Sequence, residues 1–282
     1  MSFGEEKTDV RTKEISEALV EKISELKPCL RINHYIHFRY EVSSDSGTSS
    51  LEKFIDKKMI DLVSFMDHTP GQGQFRDLEE YKKFYCANYG ISDSEALENA
   101  INKQNGRKDA FARITNVAQR LNELKIPMLS HDDDTFEKID FLKDLGITAS
   151  EFPVTEKAAK YAFEKGLDVF MGAPNLLRGK SSNGHLDASR TVESGICTGL
   201  LSDYYPESLL QAPFTAGKRS SIPYEKILSL VTSGPGRLLP EGSSKGCIAK
   251  NLPADFIVVS DNEDFIRIKK TFVKGNLIYQ ST

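Results

Sequence analysis

The 282 residues carry a net charge of −4 and 39% hydrophobic side chains, enough apolar material for one sizeable core with a small appendage. The acidic balance argues against a nucleic-acid footprint, although a local basic cluster or a metal can still serve an anionic small molecule. Four widely spaced cysteines with no C-x-x-C pair argue against a disulfide framework. With no apolar leader and no apolar run of membrane length, the expectation is a soluble, cytoplasmic protein with no membrane partner.

In chain order, a helix is expected over Thr12–Leu26. The first β-rich run, CLRINHYIHFRYEV, spans Cys29–Val42. Within it His37, Arg39 and Glu41 are spaced by two and share one strand face, with His34 on the other. Ser43–Ser50 reads as a polar, low-complexity loop. Further strands are expected in Ile60–His68, Ile126–Asp134, Ile147–Pro153, Leu167–Asn175 and Ile196–Tyr205. Helical spacing runs from Asp109 to Lys125 through Ile114, Val117 and Leu121. Two more helices are expected at Thr135–Leu145 and Thr155–Lys165, capped by their threonines.

Strand–helix alternation implies a parallel sheet. No Gly-rich dinucleotide fingerprint follows any strand, and nearly every strand ends in polar residues: Asp67-His68, His131-Asp132-Asp133, Glu151, Asn175 and Asp203. Such ends converge on one face of a (β/α) barrel, where active sites form. The expected fold class is therefore α/β, a TIM-like barrel over residues 1–240. A β-sandwich remnant follows over 241–282, with a turn at Lys274-Gly275-Asn276. Six strands leave a barrel two short of eight, and nothing ahead of the Thr12 helix is expected to supply them.

All five histidines, His34, His37, His68, His131 and His185, fall at or just after an expected strand. Imidazole beside carboxylate at strand ends suits a divalent cation. His68 sits in MDHTPGQGQF. In SHDDD, His131 and Asp133 are two apart and can face one ion, while Asp134 and Thr135 cap the next helix. Asp203 ends the last apolar strand and is the first choice for general base. His37 and Glu41 are interior candidates for the metal site, and Arg39, on the same face, is a candidate substrate contact. The loop from Gly172 to His185 combines small residues with Asn175, Arg178, Lys180 and His185 and suggests phosphate binding.

INHYIHFRYEV, MDHTPGQGQF, SHDDDT, SEFP, GAPNLLRG and LLSDYYP appear in this order over residues 31–206. Together they resemble the α-D-ribose 1-methylphosphonate 5-triphosphate diphosphatases of the carbon–phosphorus lyase pathway, in the amidohydrolase superfamily. The resemblance implies a hydrolase of phosphonate metabolism with one or two divalent ions (Zn, Mn, Fe or Mg). Its small-molecule substrate would be a phosphorylated sugar, cleaved to the 5-phosphate and pyrophosphate. It also implies Glu41, His68, His131 and Asp203 as metal-site residues, Asp203 and His131 as catalytic groups, and Arg178 and Lys180 on the triphosphate. Two departures stand out: no His-x-Asp motif precedes His34, and KSSNGH replaces the family's serine–histidine–serine–glycine order. The alternatives are another amidohydrolase, a deaminase or cyclic amidase, or an inactive N-terminally truncated fragment needing a partner piece. Unpaired strand edges in such a fragment favour self-association, hence a homo-oligomer.

Overall fold

The computed structural model describes residues 2–3, 12–179, 186–240, 242–262 and 265–281. The chain divides into two compact units: Met1–Pro28 with His34–Leu167, and Cys29–Asn33 with Asp168–Thr282.

The first unit contains β1 (Ser2–Phe3), α1 (Lys13–Leu26), β2 (His37–Glu41), α2 (Asp45–Asp56), β3 (Leu62–Met66), α3 (Leu78–Tyr89), α4 (Asp93–Gly106), α5 (Ala110–Glu123), β4 (Met128–His131), α6 (Phe136–Asp144), β5 (Ala149–Glu151) and α7 (Glu156–Glu164). Its strands pair in parallel and in chain order, β1-β2-β3-β4-β5. A doubly wound sheet reverses its order partway along. The unreversed order, with helical crossovers between successive strands, is that of a (β/α)-barrel wall. β1 corrects the expectation that nothing ahead of α1 joins the sheet: Ser2 pairs with Arg39 and Phe3 with Tyr40. Two residues are too few to show a hydrophobic period.

The alternation in β2 sorts its side chains between two layers. Phe38 packs on Phe54 of α2, ring centroids 6.5 Å apart, and Tyr40 Oη lies 2.7 Å from Thr48 Oγ1. His37, Arg39 and Glu41 therefore face the opposite side. The registers Arg39↔Ser64, Glu41↔Met66 and His131↔Glu151 place Ser64, His131 and Glu151 on that same inner face. The outer layer is closed by Leu51, Phe54 and Ile55 of α2, Ile114, Val117 and Leu121 of α5, and Ile139 and Leu142 of α6, all buried.

α2 occupies the segment expected to be a serine-rich loop. Ser44 caps it, accepting from Gly47 N at 2.9 Å. The small Gly47 and Ser50 are buried with the apolar residues. Tertiary burial has outweighed low helix propensity. Thr12, Thr135 and Thr155 cap α1, α6 and α7. Between β3 and α5, α3 and α4 form a hairpin. Gly90 ends α3 in the left-handed region, and Ser92 with Glu95 forms a capping box that starts α4.

The second unit contains β6 (Asp168–Gly172), α8 (Ala173–Arg178), α9 (Ala188–Glu193), β7 (Gly199–Leu201), α10 (Ser208–Arg219), α11 (Tyr224–Ser229), α12 (Ser233–Gly236), β8 (Phe256–Asn262), β9 (Phe265–Val273) and β10 (Asn276–Gln280). β6 and β7 pair in parallel. β8, β9 and β10 form an antiparallel sheet in the order β10-β9-β8, and Lys274 and Gly275 supply the turn with positive φ. Among the described residues, no helix is long and apolar enough to cross a membrane.

The last residue of α4 is a close approach of two backbones. A Cβ on Gly106 would lie 2.0 Å from the Ser43 carbonyl oxygen, and Arg113 Nη2 donates to both Val42 O and Gly106 O. Helix propensity alone would favour Gly106→Ala by about 1 kcal/mol. The backbone clash outweighs it, and we expect the variant to lose about 1–3 kcal/mol. The check is a lower urea midpoint with an unchanged slope.

Candidate metal centre

β2, β3 and β4 end at one place in the first unit. His68 follows β3, His131 ends β4, and Asp132 follows it with φ +51. One ligand atom from each of His68, His131 and Asp132 lies within 4.8 Å of the other two. The Nε2 atoms point at the same carboxylate: His68 Nε2 is 3.6 Å from Asp132 Oδ2, and His131 Nε2 is 3.7 Å from Asp132 Oδ1.

Each imidazole is backed by a buried glutamate. His68 Nδ1 lies 2.9 Å from Glu41 Oε2, and His131 Nδ1 lies 3.1 Å from Glu151 Oε2. Carboxylate behind Nδ1 with Nε2 presented forward is the usual way a histidine is oriented toward a metal. Glu41 is further held by His68 N, Ser43 Oγ and Lys103 Nζ, at 3.2, 3.1 and 3.0 Å. Glu151 accepts from Ser64 Oγ at 2.8 Å, and Ser64 also bonds the His37 ring.

Charge and burial oppose each other here. Burial works to raise the Glu41 carboxyl, but Lys103 and His68 hold it well below the usual carboxylate range. Glu151 is likewise held low against burial, by His131, Arg39 and His37. For His68, burial disfavours the charge, yet Glu41 and Asp132 push the imidazole up to about 9. Burial, with smaller pushes from Arg39 and His131, brings His37 down to about 4, despite the pull of Glu151. Asp132 is held low, against burial, by His131 and His68.

The donor set fits a divalent cation. Two imidazoles and a carboxylate suit Zn²⁺, Mn²⁺ or Fe²⁺. Asp132 Oδ2 is buried with no hydrogen-bond partner, the kind of orphan an ion would satisfy.

The expected partner of His131 was Asp133, and the structure replaces it with Asp132. Asp133 is fully buried on the helix side, where it accepts from Ser130 and Ser150. Positive φ at Asp132 breaks the alternation that put Asp133 beside His131. Lys138 Nζ fastens this bend through His131 O and Asp132 O, at 2.9 and 3.1 Å. Thr135 alone caps α6, while Asp134 accepts from Gly73 N at 3.0 Å. Gly73 has φ +54 and lies so close to Asp132 that a Cβ would meet it at 3.1 Å. The MDHTPGQGQF loop thus folds over the end of β4, and Phe75 packs edge-on against His68. Asp67 is bound by Arg107 Nε at 2.7 Å.

Of the other expected site residues, Glu41 stands behind His68, and His37 lies on Ser64. Arg39 Nη2 is 3.0 Å from His131 Nε2. Asp203 belongs to the second unit, exposed on the turn after β7 with φ +50. Arg178 and Asn175 lie in that unit too, bonded to each other at 2.7 Å, with Tyr204 Oη accepting from Arg178. Lys180 and His185 lie outside the described residues. Sequence reasoning had noted Glu151 only as a polar strand end and missed Lys103 and Ser64. The S-x-x-E box at Ser92 could have revealed α4, but no local pattern marks Lys103 as its inward residue. An apolar cavity of about 390 Å³ between α5, α6 and β3 includes none of the three ligand residues.

Over 260 residues the chain is 31% identical to α-D-ribose 1-methylphosphonate 5-triphosphate diphosphatase of Escherichia coli (strain K12), a match covering 88% of this chain and 66% of that enzyme. The chain is similar to this diphosphatase along most of its own length. It spans just under two thirds of that relative's length. No family model matches the chain. Among solved structures, a D-hydantoinase superposes with TM-score 0.45 at 10% identity, covering 99% of this chain and 75% of the other. A D-hydantoinase from Thermus sp. gives 0.42 at 10%, covering 99% and 68%.

The His68–Glu41 pair makes the metal-free chain sensitive to pH. His68 is raised from 6.5 to about 9 on folding, so its contribution is complete below pH 6.5 and lost as pH rises through 9. Glu41 is lowered, so its contribution is present above pH 4.5 and lost only under strong acid. In chelator, stability should fall by up to about 3 kcal/mol between pH 6.5 and 9.5. Urea midpoints at the two values measure it, and His68→Gln should flatten the difference.

Proposed function

We propose that this chain carries the metal centre of a hydrolase that cleaves a phosphoric anhydride, with the chemistry that the name of its E. coli relative describes. The substrate is a ribose 5-triphosphate bearing methylphosphonate at C1, and the products are the 5-phosphate and pyrophosphate. The observation that carries this reading is the convergence of two glutamate-backed imidazoles on Asp132, inside a chain related to that diphosphatase over most of its length.

His68 Nε2, His131 Nε2 and the Asp132 carboxylate would hold one divalent ion. A bound ion supplies Lewis acidity and lowers the pKa of water. Glu41 and Glu151 fix the imidazole orientations. Asp203 is the proposed acceptor of the proton from the attacking water. Water attacks the α-phosphorus, and the α–β bridging oxygen leaves with pyrophosphate. Arg178 and Lys180 are the proposed partners of its negative charge.

Metal analysis and pyrophosphate release test this together. The purified chain supplied with Mn²⁺ should retain at least one ion and release pyrophosphate from the ribose triphosphate, with no ammonia from nucleobases. His131→Asn should abolish both properties. Glu151→Gln, which leaves the ligands in place, should weaken metal binding by about 10–100-fold. A chain that retains no divalent ion and releases no pyrophosphate would sink the proposal.

A further inference from the structure

A guanidinium shares the inner face with the imidazoles. Arg39 has only donors to offer, so at 3.0 Å its Nη2 must donate to His131 Nε2. His131 then carries its hydrogen on Nδ1, which lies 3.1 Å from Glu151 Oε2 but out of line for a hydrogen bond. The lone pair that Arg39 engages is therefore the one His131 would give to a cation, and one lone pair cannot serve both.

The rest of Arg39 is incompletely satisfied. Its Nε is buried with no hydrogen-bond partner. Glu151 Oε2, on the inner face of β5, already accepts from Ser64 Oγ and lies 3.1 Å from His131 Nδ1. A buried donor left unpaired is costly, and a planar fork of N–H donors matches the oxygens of a phosphoryl group.

We infer that Arg39 is the oxyanion-binding group of this centre, and that a divalent ion releases it for that task. In the metal-free chain Arg39 occupies the His131 Nε2 lone pair. When that lone pair goes to an ion, Arg39 is displaced. Its Nε and Nη donors, still on the inner face of β2, then take a phosphoryl oxygen. Metal and phosphoryl ligand thus bind in a set order, and Arg39 is the residue that couples them. This inference rests on the metal-centre reading above.

Calorimetric titration of the full chain, first with Mn²⁺ and then with inorganic pyrophosphate, tests it. The wild type should bind pyrophosphate at least tenfold more tightly with Mn²⁺ than without. Arg39→Met removes the competitor for His131, so it should bind Mn²⁺ about fivefold more tightly. It should nevertheless lose tenfold or more in pyrophosphate affinity with Mn²⁺ present. Arg39→Lys keeps the charge but not the fork, and should show both changes in smaller degree. Unchanged or weaker Mn²⁺ binding by Arg39→Met overturns the inference, as does undiminished pyrophosphate binding. Wild-type Mn²⁺ affinity in Arg39→Lys also overturns it, because the field of the charge would then be responsible rather than the contact. These failures leave the metal-centre reading intact. A wild-type chain that takes up no Mn²⁺ removes that reading and this inference together.

Discussion

A buried carboxylate behind each of two imidazoles is the constraint on which the centre depends. Glu41 and Glu151 sit at the inner ends of β2 and β5, almost out of solvent. Burying an ionised carboxylate is expensive unless charge and hydrogen bonds surround it. Glu41 meets that demand with Lys103, His68 and Ser43, and Glu151 with His131 and Ser64. The glutamates can stay charged only while the imidazoles face them, and this aims both Nε2 atoms at Asp132. The electrostatics of burial therefore enforces the geometry of the site.

The parallel wall makes this arrangement economical in sequence. Register places Glu41 beside Met66 and His131 beside Glu151, so residues far apart in the chain meet at one rim. What a strand cannot supply comes from the connections. The MDHTPGQGQF loop returns across β4 through Gly73, and the α3–α4 hairpin delivers Lys103 to Glu41 and is followed by Arg107, which holds Asp67. The aromatic packing of Phe75 with Tyr81 and Tyr85 ties that hairpin to the loop bearing His68. The connection between β3 and β4 is thus as much a part of the centre as the strands are.

Much of this was legible beforehand because it depends on short-range pattern. Alternation in HFRYE identified the inner face of β2, and threonines ahead of apolar periods marked the starts of α6 and α7. His68 and His131 stood at strand ends, and their imidazoles meet beside Asp132. The Ser43–Ser50 segment misled because its composition suggests a loop. Its helix is held by Leu51, Phe54 and Ile55 packing against β2, contacts that composition does not record.

The amino-acid sequence by itself determined the strand–helix alternation, the parallel wall and the gathering of histidines and carboxylates at strand ends, since periods of two and 3.6 residues are written locally. Only the tertiary structure decided which carboxylate joins the histidines. A single residue with positive φ, Asp132, reverses the direction that alternation would assign to the two aspartates. Lys138 and Gly73, 6 and 59 positions away from it, are what hold that bend in place.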